Sequence, residues 1–173
     1  MTSFDWHPKK LEYIFTASID TTCSIWDITK GSIVNQLIAH DKEVFDVNAS
    51  PDANEFATVG ADGSLRQFDT RDLTNSFILY ETTEALLRVA WNRLNPNLIA
   101  FISVDQLHIT IVDVRRPFHA AYSLYYHEKQ VNGIKWSTTK EYNFFILLLV
   151  MLYVVLEKMA RLFSGVLISK EQR

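Results

Sequence analysis

Apolar and polar positions alternate along much of the chain in short runs broken by Asp, Gly and Pro. That is the two-residue period of half-buried strands, not the longer period of amphipathic helices. "FTASIDTTCSIWDI" (Phe15 to Ile28), "FATVGADGSLRQFDT" (Phe56 to Thr70) and "IAFISVDQLHITIVDV" (Ile99 to Val114) share one layout. Each has a β-rich run, a turn carrying Asp, a second β-rich run, then an apolar residue followed by Asp. The closing pairs Trp26-Asp27, Phe68-Asp69 and Val112-Asp113 lie 42 and 44 residues apart.

Upstream of each layout stands a further alternating run, "SFDWHP", "VFDVNASP" or "LRVAWNRLNP", closed by a proline. Downstream come "SIVNQLIAH" and "AYSLYYH", which finish at His40 and His127. Four short strands joined by turns form an antiparallel meander, and a unit of about 40 to 45 residues that recurs is the signature of propeller blades. The pattern predicts an all-β chain with four-stranded blades over 2–40, 43–80 and 86–127 and the first strand of a fourth over 130–136. Together they form a partial propeller over 1–136, arranged as an open arc, followed by an atypical segment over 137–173. Asp62-Gly63 suits a tight turn with a positive φ, which glycine adopts without a Cβ clash.

Composition narrows the function classes. A formal net charge of -3, with Lys and Arg scattered, gives no basic surface for nucleic acid. The single cysteine, Cys23, excludes an intramolecular disulfide framework and favours a reducing compartment. Within a strand it reads as a small buried apolar side chain and not as a nucleophile. No nucleophile-base pair, metal-ligand cluster or Gly-rich phosphate loop stands out, so neither an enzyme nor a cofactor is expected.

As a set, "WD" at Trp26-Asp27, its variants at Phe68-Asp69 and Val112-Asp113, the "ADG" turn and "AH" or "YH" before the next unit resemble the WD40 repeat. The order of "TSFDW", "SIDTTCSIWDI", "QLIAHDKEVFDV", "ADGSLRQFDTRD", "LLRVAWN" and "VDVRRP" is similar to a small WD-repeat adaptor family. That family includes plant Transparent Testa Glabra and the animal scaffold for dual-specificity tyrosine kinases, also named as a cullin-4 ligase-associated factor. The resemblance runs from Thr2 to about Trp136. It implies a non-catalytic scaffold in cytoplasm or nucleus that holds kinases or transcription factors, with no small-molecule substrate. The family pattern extends beyond both ends of the matched stretch, so a partial version of the propeller is expected here.

In blades of this family a His, a Ser or Thr, the turn Asp and the aromatic before the final Asp form a buried hydrogen-bonded set. The resemblance places those roles on His40, Thr58, Asp62 and Phe68, and related motif positions on Asp20, Trp26, Asp105 and His127. Phe68 has no donor, which leaves that set incomplete. Arg71 and Arg115, two residues after the blade Asp, resemble the WDxR box through which ligase receptors dock onto their propeller adaptor; Thr29 stands there in the first blade. The alternative for these arginines is a solvated pairing with a nearby carboxylate. A cullin-RING substrate receptor is therefore the alternative to a scaffold.

The run 144–156 is wholly apolar, yet shorter than the roughly 20 residues a spanning helix needs. A buried helix and a short membrane anchor both remain readings of it. Its codons offer another. Read one nucleotide earlier, Met159-Ala160 encodes only Gly, and the preceding pairs permit Gly-Glu-Asp, giving a Gly-Glu-Asp-Gly turn. Ser164-Gly165 permits Trp, so the segment aligns with "FATVGADGSLRQF" as a fourth blade out of frame. An unspliced intron or a frame change is accordingly expected in preference to an anchor.

Overall fold

The computed structural model describes residues 1–52, 54–125 and 127–137. Among them every regular element is a strand. The first sheet holds β1 (Ser3–Trp6), β2 (Tyr13–Ala17), β3 (Thr22–Asp27) and β4 (Ser32–Ile38). β5 (Val44–Ala49), β6 (Glu55–Gly60), β7 (Ser64–Asp69) and β8 (Asp72–Glu81) form the second. The third consists of β9 (Leu86–Trp91), β10 (Leu98–Ser103), β11 (His108–Asp113) and β12 (Ala120–Tyr125). Strands follow chain order within each sheet and every pair is antiparallel. These are the three blades the periodicity predicts.

Register makes the repeat quantitative. Ile14 faces Trp26, Phe56 faces Phe68 and Ile99 faces Val112. Thr16 and Thr58 are then equivalent, as are Asp20 and Asp62, and Thr21 and Gly63. Because side chains alternate between faces, one set on each sheet turns toward the preceding blade and the other toward the next. Phe15, Ala17, Cys23 and Ile25 of the first sheet pack on Val47, Ala49, Phe56 and Phe68 of the second. The opposite face of the second, with Ala57, Val59 and Leu65, packs on Val89, Trp91, Ile99 and Val112 of the third. The second sheet thus lies between the others. β10 is buried along its whole length, which explains its continuous apolar sequence.

Cys23 is buried, and loss of solvent pushes its thiol up to about 12, as an inert core side chain requires. The strand predicted over 130–136 is reduced to a single bridge at Trp136. A strand persists only with a neighbour to ladder onto, and the residues that would follow it lie outside the described part. Val131, Ile134 and Trp136 nonetheless bury against Ala90, Leu98 and Ile111, and Trp136 Nε1 donates to the Ala90 carbonyl at 2.8 Å. The expectations for 137–173, an apolar helix, an anchor or an out-of-frame blade, fall beyond residue 137 and outside the described residues. No helix among the described residues is long and apolar enough to cross a membrane.

Each β2–β3-type turn needs one left-handed residue, and the three blades supply it differently. Gly63 has φ 79°, Thr21 has φ 73° and Asp105 has φ 60°. For a β-branched residue that conformation is strained. Thr21→Gly should therefore raise the thermal midpoint, with a gain of about 1 kcal/mol, read by calorimetry.

Candidate functional site

The most elaborate polar cluster sits at the joint between the first two blades. His40, just after β4, directs Nδ1 to Asp62 Oδ1 at 2.9 Å and Nε2 to Thr58 Oγ1 at 2.7 Å. Ser64 Oγ lies 3.0 Å from the same Nδ1 and donates to Asp62 Oδ1 at 2.8 Å. Burial raises the Asp62 carboxyl, but hydrogen bonds from His40 and Ser64 outweigh it and hold the group well below its ordinary value. An ionised carboxylate only accepts, so Nδ1 carries the proton. Arg66 closes the network by donating Nη2 to Asp62 at 3.0 Å and to Asp41 at 2.7 Å, and Nε to Ser64 at 2.9 Å.

The resemblance implies one set of His40, Thr58, Asp62 and Phe68, and the structure joins the first three by hydrogen bonds. Phe68 is buried and stacks on Phe56 at 5.2 Å between centroids, with no part in the hydrogen bonds. The other named positions stand apart. In the first blade Trp26 Nε1 donates to Thr16 Oγ1 at 3.0 Å while Asp20 caps Thr22, so this blade keeps the aromatic-to-hydroxyl half of the set. In the third, Phe101 occupies the register of Thr58 and Asp105 is exposed. His127 follows β12 as His40 follows β4, and desolvation lowers its pKa.

Ser64, Arg66 and Asp41 were missed, although an Arg four residues after the turn Asp was visible. A second missed device joins the inner strands. Asp5 Oδ2 accepts from Ala49 N at 2.9 Å and from Asn48 Nδ2 at 2.8 Å. One repeat on, Asn48 Oδ1 accepts from Trp91 N at 2.7 Å. Asp46 adds a bond from Val89 N at 3.0 Å, and burial raises its carboxyl pKa. The signal was the polar residue before Trp6 and Ala49, repeated at 43 residues.

Arg71 and Arg115 occupy equivalent exposed turns. Arg71 donates Nε to Asp69 at 2.9 Å and Nη2 at 2.6 Å; Arg115 does the same to Asp113 at 2.9 and 2.5 Å. The Arg71 bonds hold the Asp69 carboxyl down at about 2. In the first blade Asp27 is held at about 2 by the Thr29 hydroxyl, with Lys30 adding to it. The turn Asp is thus the constant element, and the arginines are fixed in orientation while their side chains remain 70% and 66% exposed. Among the described residues no group of three or more His, Cys, Asp or Glu could hold a metal ion.

Acid sensitivity follows from Asp62. Its folded pKa is lowered, so its stabilisation is complete above the ordinary value of 3.8 and lost as pH falls through the folded value. Asp46 has the opposite sign, its penalty at neutral pH being relieved on acidification. Asp62→Asn should lower stability at neutral pH and flatten the loss below about pH 4, measured by urea unfolding across pH.

Comparison with known proteins agrees with this geometry. The family described as "WD domain, G-beta repeat" matches residues 31–69, spanning β4 to β7. The chain is 48% identical over 139 residues to the DDB1- and CUL4-associated factor 7 homolog of Dictyostelium discoideum, covering 79% of this chain and 43% of that protein. It is 40% identical to a WD repeat-containing protein of Saccharomyces cerevisiae, over 81% of this chain and 31% of the relative. A WD repeat-containing protein of Schizosaccharomyces pombe is 39% identical, over 79% and 36%. The chain therefore spans less than half the length of each of these relatives. It carries a WD40 repeat within an all-β propeller fragment.

Proposed function

We propose that the chain works as a non-catalytic WD40-repeat scaffold that binds other proteins, kinases or transcription factors among them, in the cytoplasm or nucleus. One observation carries the reading. The groups that could imitate a catalytic set, His40, Asp62 and Ser64, are spent on one another at a blade joint, where they serve packing. Nδ1 is protonated toward Asp62, and the basic Nε2 faces only the Thr58 hydroxyl, which is fully buried where no substrate can reach it. The similarity to a cullin-associated factor and the Transparent Testa Glabra-like motif order support an adaptor role. Titration calorimetry of the full chain against a purified dual-specificity tyrosine kinase tests it. Saturable binding supports the scaffold, and no heat at about 100 µM, a concentration that detects even weak complexes, counts against it.

A specific observation also favours a ligase-receptor reading. Arg71 and Arg115 are presented identically on two successive blades, each oriented by a bidentate carboxylate. A guanidinium held in this way keeps Nη1 for an acidic partner. If the arginines dock on DDB1, the protein named for the Dictyostelium relative, then an Arg71→Ala, Arg115→Ala double variant should lose recovery of purified DDB1 in a pull-down. Equal recovery removes the receptor reading and leaves the scaffold.

A further inference from the structure

We infer that the rim notch between the second and third blades takes an extended, acidic peptide segment of a partner protein, seating one large apolar side chain against Phe77 and Phe118; the inference rests on the scaffold reading. Both blades that build this joint are described, and it lies inside the arc. Phe77 pairs with Gln67 and so shares the face of Leu65, which packs on the third blade. Tyr80 on that face meets Phe101 of the third blade at 5.0 Å between centroids, yet Phe77 stays 51% exposed. In the first blade the equivalent position is Asn35, paired with Ile25. The turns differ as well: Thr70 and Arg71 alone join β7 to β8, whereas the longer turn 114–119 joins β11 to β12. That turn reaches back to the second blade, where Phe118 N donates to the Leu79 carbonyl at 2.7 Å, two residues along β8 from Phe77. Phe118 is left-handed, with φ 65°, and its ring stands 58% exposed. A bulky residue held in that conformation with its ring in solvent gains nothing from packing, and such outliers concentrate at binding sites.

Charge and rigidity select the occupant. The turn carries Arg115 and Arg116 beside one carboxylate, Asp113, which Arg115 takes through two hydrogen bonds. Arg116 is exposed and leaves a surplus positive charge at the side of the notch. Between Leu73 and Tyr80 the strand β8 bears no charged side chain, so nothing along it repels an acidic segment. β8 is the outermost strand of its blade, the place where an extended chain lies alongside a sheet. The turn is also held in shape. Val114 N donates to the Asn97 carbonyl at 2.9 Å and Arg116 N to the Asp113 carbonyl at 2.8 Å, while His119 Nδ1 donates to the Pro117 carbonyl at 3.0 Å. A ring presented in this way loses little freedom on binding, and an aromatic pair next to a guanidinium suits an apolar anchor flanked by carboxylates.

The test uses the full chain and a fluorescein-labelled peptide of glutamates around one central tryptophan, read by anisotropy. Binding should saturate by about 100 µM and weaken as salt is raised. A peptide with lysines for the glutamates, and one with alanine for the tryptophan, should each bind about tenfold more weakly or worse. Phe118→Gly is the decisive variant. It deletes the ring and relieves the left-handed conformation, so the thermal midpoint should hold or rise while affinity falls about tenfold. Phe77→Ser and Arg116→Glu should weaken binding by a similar factor. Leu11→Ser, which removes a side chain 70% exposed on the first blade, should leave it unchanged. The inference is overturned by wild type that shows no saturable binding, by equal binding of the lysine peptide, or by wild-type affinity in Phe118→Gly. The kinase titration decides the scaffold separately: heat with the kinase alongside no peptide binding removes the notch and leaves the scaffold standing.

Discussion

Gly63→Ala is expected to destabilise the chain by on the order of 4 kcal/mol, enough to unfold much of it near body temperature. Two independent effects combine. The φ of 79° lies where a Cβ clashes with its own backbone, and the added carbon would sit 2.0 Å from the Thr82 carbonyl oxygen. The opposing atom is backbone, tied by the bond from Thr82 N to Gly63 O at 2.9 Å, so it cannot swing away. Thr21, one repeat earlier, shows that conformation alone is survivable, which isolates the close approach as the larger part. Urea unfolding followed by circular dichroism would check it. A midpoint close to wild type would mean that the 82–84 loop yields easily.

His40→Ala carries the next largest cost, on the order of 3 kcal/mol. The imidazole is fully enclosed, and its removal opens a cavity while stripping partners from Thr58 Oγ1 and Asp62. Its Nδ1 and Cγ also fill the space beside Gly60, where a Cβ would meet them at 2.9 and 3.0 Å. Because His40 and Asp62 act as a unit, the double variant His40→Ala, Asp62→Ala should cost less than the sum of the singles. Additive losses, measured in the same unfolding experiment, would show that the pair is not coupled.

The blades were legible because their punctuation is local. An apolar residue before Asp ends each third strand, and Asp with Gly marks the tightest turn, so three sheets could be drawn from the chain alone. The His40, Thr58 and Asp62 contact came from resemblance, since 22 residues and two turns separate His40 from Asp62. Thr21 was not legible as a left-handed residue because β-branched side chains resist that conformation, and only the surrounding blade imposes it. The inner-strand latch through Asp5 and Asn48 escaped for another reason: its partners lie 43 or 44 residues apart. The arginines were visible as candidates, but their orientation by Asp69 and Asp113 required coordinates.

The central claim is that the buried polar residues hold the blades together while the surface does the binding. It is tested most directly by measuring the thermal midpoint and the kinase affinity together for wild type and Asp62→Asn. The expected result is a midpoint several degrees lower, with affinity unchanged at a temperature where both proteins are folded. Lost affinity, or the loss of any chemical activity, at an unchanged midpoint would contradict it and make Asp62 a functional residue.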